Sequence, residues 1–563
     1  GEHKWDIFVH NLTGFELRWF AVRNIAEQEE PDVRNFETWV QKEDGWFSFN
    51  PKEPGSPRDI DNTKRIWRNT KEDNTQYGIK ADIPLHMEVP DLHTSFLGLG
   101  EDAEWEERDG KVGVGWLFDF TRRTYRQNSF KYLFASQQEP LDTGPQIFEY
   151  PTIEEWQAAR EAWEQTEEGM EYLAGKDAAT EDRSRSAYSN SNPNVLWTDV
   201  FHNEDNVGVT EYQNSMLWYL LPRFRDIDYV GDQNFHAGYW KSELPITKQL
   251  TVSLGARVEL TDISIVPTSD LEERDPPRAF LVPVERVIED DDGNVVTVFY
   301  TLEGVPKEDA IADIQDARWL RSAGLVYELM PGMKVRFNWS QTIARPTFLE
   351  LAPVITFDFI EDETFVGNQD LKLSTVENVD IRWEWFFGEG EVLAASYFYK
   401  KITDPIERIS FGYLGTDYFL AVNFPEGTVR GMELEARKVL DFLPWIFSDF
   451  SLGANYTLIN AEVEIPELQR QSLAFHRIGQ SKREMEGQPE FLFNVNLTYD
   501  NEDWGTSAGL FYNVQGDMLK AGAAIGDEGA TPNIYVVERP TLNLTVSQKL
   551  FDVWKLSFKA KNL

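Results

Sequence analysis

The chain has 563 residues, no cysteine, and a formal net charge of −42 from 96 acidic against 54 basic residues. That field repels nucleic acid, and the absence of cysteine excludes a disulfide framework and any thiolate metal site. No apolar run reaches the roughly 18 residues of a transmembrane helix, but barrel strands, short and only half apolar, stay open.

Taken in chain order, the pattern starts at once. In GEHKWDIFVH, Trp5, Ile7 and Val9 fall on one side of an alternating stretch. There is no signal peptide, so the chain reads as a mature or truncated product that begins inside a sheet. A long connection over 123–205 carries TIEEWQAAREAWEQTEEGMEYL. Thr152 and Glu155 make a capping-box pattern after Pro151, and Trp156, Ala159, Trp163 and Met170 lie near one helical face. One amphipathic helix is predicted there, packed on other loop material rather than on a ligand. LTVSLGARVEL then alternates Leu250, Val252, Leu254, Ala256, Val258 and Leu260 with polar residues. The loop 267–316 holds EDDDGN at 289–294, which lacks the ligand spacing of an EF-hand and is expected to be a solvated acidic turn.

MKVRFNWS at 333–340 sets Met333, Val335, Phe337 and Trp339 against Lys334, Arg336, Asn338 and Ser340. VDIRWEWF sets Val379, Ile381, Trp383 and Trp385 against Asp380, Arg382 and Glu384. GMELEAR, FLFNVNLTY, TLNLTVS and WKLSFKAK behave alike. About 16 to 18 such segments occur, many about 10 residues long, the size that crosses a bilayer at a tilt.

The links between segments sort by length. Short ones are predicted at Pro331-Gly332, Gly388-Glu389-Gly390, 441–447, 501–503 and 550–552. Long ones are predicted at 267–316, 346–375, 403–416, 462–488 and 515–536. Up-and-down strands with short links at one end and long links at the other are the plan of an all-β, large antiparallel transmembrane barrel. A sandwich or propeller does not sort its loops this way. Aromatic residues gather at strand ends, as Trp385, Phe386 and Phe387 do before one turn and Trp445 and Phe447 at another, which suits interfacial girdles. The apolar side of MKVRFNWS is therefore expected to face lipid. Lys334, Arg336, Arg382 and Glu384 are expected to face a polar lumen. A slip of one residue would put several charges into lipid at about 2–4 kcal/mol for each basic residue at mid-membrane.

Three consecutive stretches carry a family likeness: SQTIARPTFLELAP (340–353), GNQDLKLSTVENVDIRWEWFF (367–387) and LAASYFYKKITDPIERI (393–409). They resemble the C-terminal barrel region of TonB-dependent outer-membrane receptors. In that family an Arg-Pro pair follows a rising strand, a Gly-Asn, a Leu and an Asn-x-Asp lead the next strand down, and a Phe-x-Lys with an Asp-x-Ile closes the hairpin. The matching residues are Arg345, Pro346, Gly367, Asn368, Leu371, Asn378, Asp380, Phe398, Lys400, Asp404 and Ile406. Their expected roles are structural: Pro346 ends a strand, Gly367 suits a turn, and Asn378 and Asp380 point into the lumen. Weaker likeness continues at 72–85, 255–261, 430–436, 452–463 and 558–563.

The resemblance implies a receptor in the bacterial outer membrane, without enzymatic chemistry or a cofactor. It would bind a scarce solute in exterior loops and import it when a TonB-type protein on the periplasmic side moves a plug domain. The family's plug, a full set of 22 strands and an aromatic last residue are not recognisable in residues 1–563. The stretch is thus expected to be part of a barrel lacking plug, first strands and last strand. Aromatic and acidic loops would suit a sugar, a peptide or a metal chelate. The alternatives are a barrel that anchors a larger envelope complex and a secreted β-rich carbohydrate-binding or hydrolytic protein. The second finds no assignable carboxylate pair and no metal-ligand spacing among the seven histidines.

Overall fold

The computed structural model describes residues 2–9, 12–35, 38–43, 46–51, 64–91, 105–135, 209–211, 217–222, 227–268, 280–289, 295–358, 363–413, 416–467, 480–526, 529–551 and 553–563, with isolated positions between 162 and 166 and at 469–470 and 473. The helix expected over 152–173 and the acidic turn after Glu289 lie almost wholly outside the described residues.

Sixteen strands form one up-and-down run: Glu2–Val9, Leu12–Asn35, Lys64–Pro90, Trp105–Ala135, Asp228–Pro245, Leu250–Thr268, Ala312–Met330, Met333–Ala344, Ser374–Gly388, Glu391–Thr403, Glu426–Val439, Phe450–Glu464, Phe491–Asn501, Thr506–Gln515, Arg539–Leu550 and Trp554–Ala560. Each pairs antiparallel with the next. Three short strands, Val209–Glu211, Leu217–Pro222 and Lys482–Glu484, add to the long-loop margin of the same sheet. The early strands run far beyond the roughly 9–11 residues a bilayer needs; Trp105–Ala135 has 31. The wall therefore takes in residues 123–135, which the sequence pattern assigned to a loop.

The short turns fall where Gly and Pro mark them. Gly332 has φ 79° and its carbonyl accepts from the Phe386 amide at 2.7 Å. Gly390 has φ 71°. Only glycine adopts these left-handed values without cost, so each tight reversal is written into a single residue.

The register puts Val335 opposite Trp383, Phe337 opposite Ile381 and Trp339 opposite Val379. On the other face, Lys334 meets Glu384, Arg336 meets Arg382 and Asn338 meets Asp380. One side of the wall is thus a band of exposed apolar groups, including Trp116, Leu254, Trp319, Ile381, Met432 and Leu458. The other side is polar.

At the long-link end the connections fold over the polar side. Beside the two-stranded hairpin Thr38–Glu43/Trp46–Pro51, two larger sheets form from the described connections. One has six strands, from Ile355–Asp358, Glu363–Val366, Ile406–Tyr413, Thr416–Asn423, Met518–Ala523 and Ile534–Val536. The other joins the hairpin Phe280–Glu289/Val295–Val305 to Ile525–Gly526 and Gly529–Ala530. The predicted 403–416 loop is in fact a hairpin of Ile406–Tyr413 and Thr416–Asn423, since its apolar residues have roof partners to bury against. Among the described residues, no helix is long and apolar enough to cross a membrane.

Candidate functional site: the loop roof and the polar wall beneath it

The roof has its own core. One cluster joins Phe348, Leu351, Leu371 and Leu373 to Tyr229, Ile263, Ile265 and Ile314 at the upper end of the polar face, with Phe280 and Val282 from the hairpin. A second joins Tyr300, Leu302, Ile409, Phe411, Leu420, Phe424, Val463, Met485 and Ile525. Side chains facing inward along the wall switch from charged to aliphatic at this height, from Arg257 and Glu259 to Ile263 and Ile265. The loops dock on that aliphatic rim.

The family-motif residues build the junction. The Met333–Ala344 strand ends just before Arg345 and Pro346. Arg345 pairs with the buried Glu259, donates to the Thr261 hydroxyl at 3.2 Å and lies over the Phe235 ring at 4.8 Å. Thr347 then caps the short Phe348–Leu351 helix: the Glu350 carboxylate accepts from the Thr347 amide at 2.6 Å, and Thr347 Oγ1 accepts from the Glu350 amide at 3.3 Å. Gly367 is there for a close approach rather than a turn, because a Cβ would run into the Ala352 carbonyl. Asn368 donates to the Ala421 carbonyl at 2.9 Å and its Oδ1 accepts from the Asp370 amide at 3.0 Å, while Leu371 is buried. Asp404, at φ 53°, gives its carbonyl to Ser374 Oγ at 2.7 Å and Asn423 Nδ2 at 2.9 Å. Ile406 packs on the first cluster. Asn378 donates to Thr342 Oγ1 at 3.2 Å. In register, Asn378 stands opposite Lys400 and Asp380 opposite Phe398, whose ring crosses Gly431.

Lower on the polar face, the residues read from alternation meet. Glu384, 5% exposed, accepts from Arg336 Nε at 2.7 Å and Arg382 Nε at 3.2 Å. Arg382 reaches on to Glu435 at 2.8 Å and Ser396 at 3.1 Å. Lys334 stands beside Glu384 in register. A second group surrounds Asp82, with Lys80 at 2.8 Å, Lys111 at 3.7 Å and Lys241 at 3.9 Å. These form a wall of paired charges that can present hydrogen-bonding groups to a polar solute. Among the described residues no group of three or more His, Cys, Asp or Glu is placed to hold a metal ion.

Sequence reasoning did not single out the ionic centre of the roof. Arg483, buried, lies with its guanidinium over the Phe424 ring at 4.4 Å and with Nη2 3.7 Å from Glu407 Oε2. A Cβ at Gly522 would occupy the place of Arg483 Nη1. Glu407 accepts from the Glu486 amide at 3.0 Å; Glu486 accepts from the Arg408 amide at 2.6 Å and meets Arg408 Nε at 3.3 Å. Arg408 also approaches Glu363 at 3.6 Å, and Glu363 pairs with Lys520. Glu363, Glu407, Arg483 and Lys520 are far apart in the chain, and no local pattern marks them.

The sequence matches the family described as TonB dependent receptor-like, beta-barrel, over residues 29–563. Solved structures similar to the chain include the ferric yersiniabactin uptake receptor FyuA from Yersinia pestis, 12% identical, covering 98% of this chain and 63% of that one, TM-score 0.40. The copper transporter OprC is also 12% identical, covering 100% of this chain and 60% of that one, TM-score 0.47. The siderophore receptor PiuA from Acinetobacter baumannii is 10% identical, covering 97% and 67%, TM-score 0.37. The chain spans less than two thirds of the length of the first two. No curated protein matches it by sequence.

Proposed function

Because the chain belongs to the TonB-dependent receptor β-barrel family, we propose that it is the barrel part of an outer-membrane uptake receptor. In this reading the long-loop roof faces the cell exterior and receives a scarce solute. The charged wall below it, with Lys334, Arg336, Arg382 and Glu384, lines the passage. A TonB-type partner on the short-turn side supplies the energy by moving a plug. The barrel itself makes and breaks no bonds. A sugar, a peptide or a metal chelate would suit the acidic, aromatic loops.

The observation that carries the reading is the division of the wall into an apolar band and a polar face, with the roof folded over the polar one. A solute received by the roof would have the paired charges of the wall below the aliphatic rim as its next partners. The short, glycine-marked turns at the opposite end leave little surface for recognition.

Topology is the test. An epitope tag inserted between residues 290 and 294 is expected to be reachable on intact cells. One inserted at Gly388 to Gly390 is expected to be reachable only after the outer membrane is opened. If the second tag is the one exposed on whole cells, the orientation is inverted and the uptake reading fails with it. Uptake itself is tested by deleting the gene and comparing growth on limiting solutes of the three classes. Unchanged growth on all of them, with the envelope weakened, would favour the anchoring role instead.

A further inference from the structure

The ionic centre of the roof ties together four connections that are far apart in sequence. Their described parts are Phe280–Glu289 with Val295–Val305, Ile406–Tyr413 with Thr416–Asn423, Gln469 with residues 480–490, and residues 516–526 with 529–536. We propose that the Glu407–Arg483–Glu486 cluster is a proton-operated latch, which holds the loop roof shut in mild acid and releases it as the medium turns alkaline.

Glu407, Glu486 and Glu363 share Arg483, Arg408 and Lys520. Glu285, exposed on the Phe280–Glu289 strand, approaches the same centre through Gln469. Gln469 also donates to the hydroxyl of the buried Tyr300. Glu350 bears on Glu486 from the 346–375 connection, and Tyr535 on Arg483 from the 516–536 connection. Water reaches Glu285 and in part Glu486, whereas Glu407 is shut away from it and is housed most readily as the neutral acid.

The geometry picks out Glu407 as the place where ionisation hurts most. It is 2% exposed, its one ionic partner stands 3.7 Å away, and Nε and Nη2 of Arg483 make no hydrogen bond among the described residues. The pair is too distant for a charge-assisted hydrogen bond, and the flat seat on Phe424 and Gly522 leaves the guanidinium little room to close the gap. Burial pushes the Glu407 carboxyl up to about 7, against the pull of the Glu486 amide and Arg483. Burial also raises Glu486 and lowers Arg483.

The sign follows from linkage. Carboxyls raised in the closed roof bind protons more readily there than when the loops part and water enters. Closing takes up protons, so the closed state gains as pH falls through about 7 and loses as pH rises through it. Deprotonation leaves a buried carboxylate that Arg483 only partly offsets, and the Lys482–Glu486 segment separates from the Ile406–Tyr413 strand to hydrate it. This does not depend on which solute is carried, or on which side of the membrane the roof lies.

Hydrogen exchange on the purified chain in lipid nanodiscs, with the same buffer on both faces, tests the latch. Corrected for the intrinsic pH effect, peptides covering 406–412 and 482–486 should open about tenfold or more often at pH 8.5 than at pH 5.5. Peptides over the 331–332 turn should not change. Glu407→Gln, fixed in the neutral form, should keep the roof as protected at pH 8.5 as the native chain is at pH 5.5. Equal roof opening at both pH values in the native chain overturns the proposal, as does a Glu407→Gln chain that keeps the full pH dependence. Should that variant not fold, infrared difference spectra of the native chain decide. Loss of a protonated-carboxyl band between pH 5.5 and 8.5 supports the latch, and its absence at both overturns it.

Discussion

The wall and the roof are made of the same kind of strand and are stabilised in opposite ways. In the wall, apolar side chains such as Trp319, Leu325 and Ile381 stay exposed on one face, and charge pairs such as Arg336–Glu384 sit on the other. In the roof, Leu351, Ile409 and Phe411 are fully buried and the charges Glu407 and Arg483 are buried with them. A wall strand spends its apolar face on lipid and needs no protein core. A roof segment has no lipid to turn to, so it builds a core from residues far apart in sequence. The wall should therefore be sensitive to which face a residue is on, and the roof to whether a residue is there at all.

Changes that break the roof core should be the largest. Phe348→Ala removes the ring that fills the space beside Gly231 and lies under Arg123 at 4.9 Å, and should cost about 3–5 kcal/mol of roof stability. Faster protease cleavage across 346–375 with the wall intact would show it. Next in size is a charge on the wall's apolar face. Ile381→Arg should destabilise the folded barrel by about 2–4 kcal/mol in denaturant titration from vesicles. The same arginine in place of Asp380, on the polar face, should cost far less, and equal costs would mean that the faces are misassigned.

Removing the shared acceptor, Glu384→Gln, leaves Arg336 and Arg382 without their common carboxylate. Their side chains are 48% and 32% exposed, so water compensates in part and the loss should be about 1–2 kcal/mol rather than the figure for a fully buried pair. Smallest of all, Lys401→Ala breaks a 2.8 Å pair with Glu426 that is 42% and 37% exposed, and should leave the unfolding midpoint unchanged within measurement error. A large effect there would show that the pair is dry.

The same contrast explains what the sequence disclosed. Period-two alternation is local, so Arg336, Arg382 and Glu384 could be placed on one face from their own strands, and Gly332 and Gly390 betrayed the turns. The motif at 345–406 was legible as a resemblance, but its physical meaning was not. Gly367 read as a turn residue, whereas it lets the Ala352 carbonyl approach. Asn368 read as a strand leader, whereas it reaches the Ala421 carbonyl in another hairpin. Glu407 and Arg483 gave no local signal, because what makes them a pair is the packing of separate connections around Phe424 and Gly522. The wall boundary at 123–135 was missed because RTYRQNS at 123–129 puts polar residues at consecutive positions and so breaks the alternation.

The central claim is that the apolar face of the wall meets lipid and the polar face does not. Single nitroxide labels at positions 335, 336, 337 and 338 in the membrane-embedded chain test it most directly, by relaxation with oxygen, which partitions into lipid, and with a water-soluble nickel chelate. The account predicts high oxygen accessibility at Val335 and Phe337 and low values at Arg336 and Asn338, a period of two residues in phase with the apolar side chains. High oxygen accessibility at Arg336 and Asn338 with low values at Val335 and Phe337, or no period at all, would contradict it.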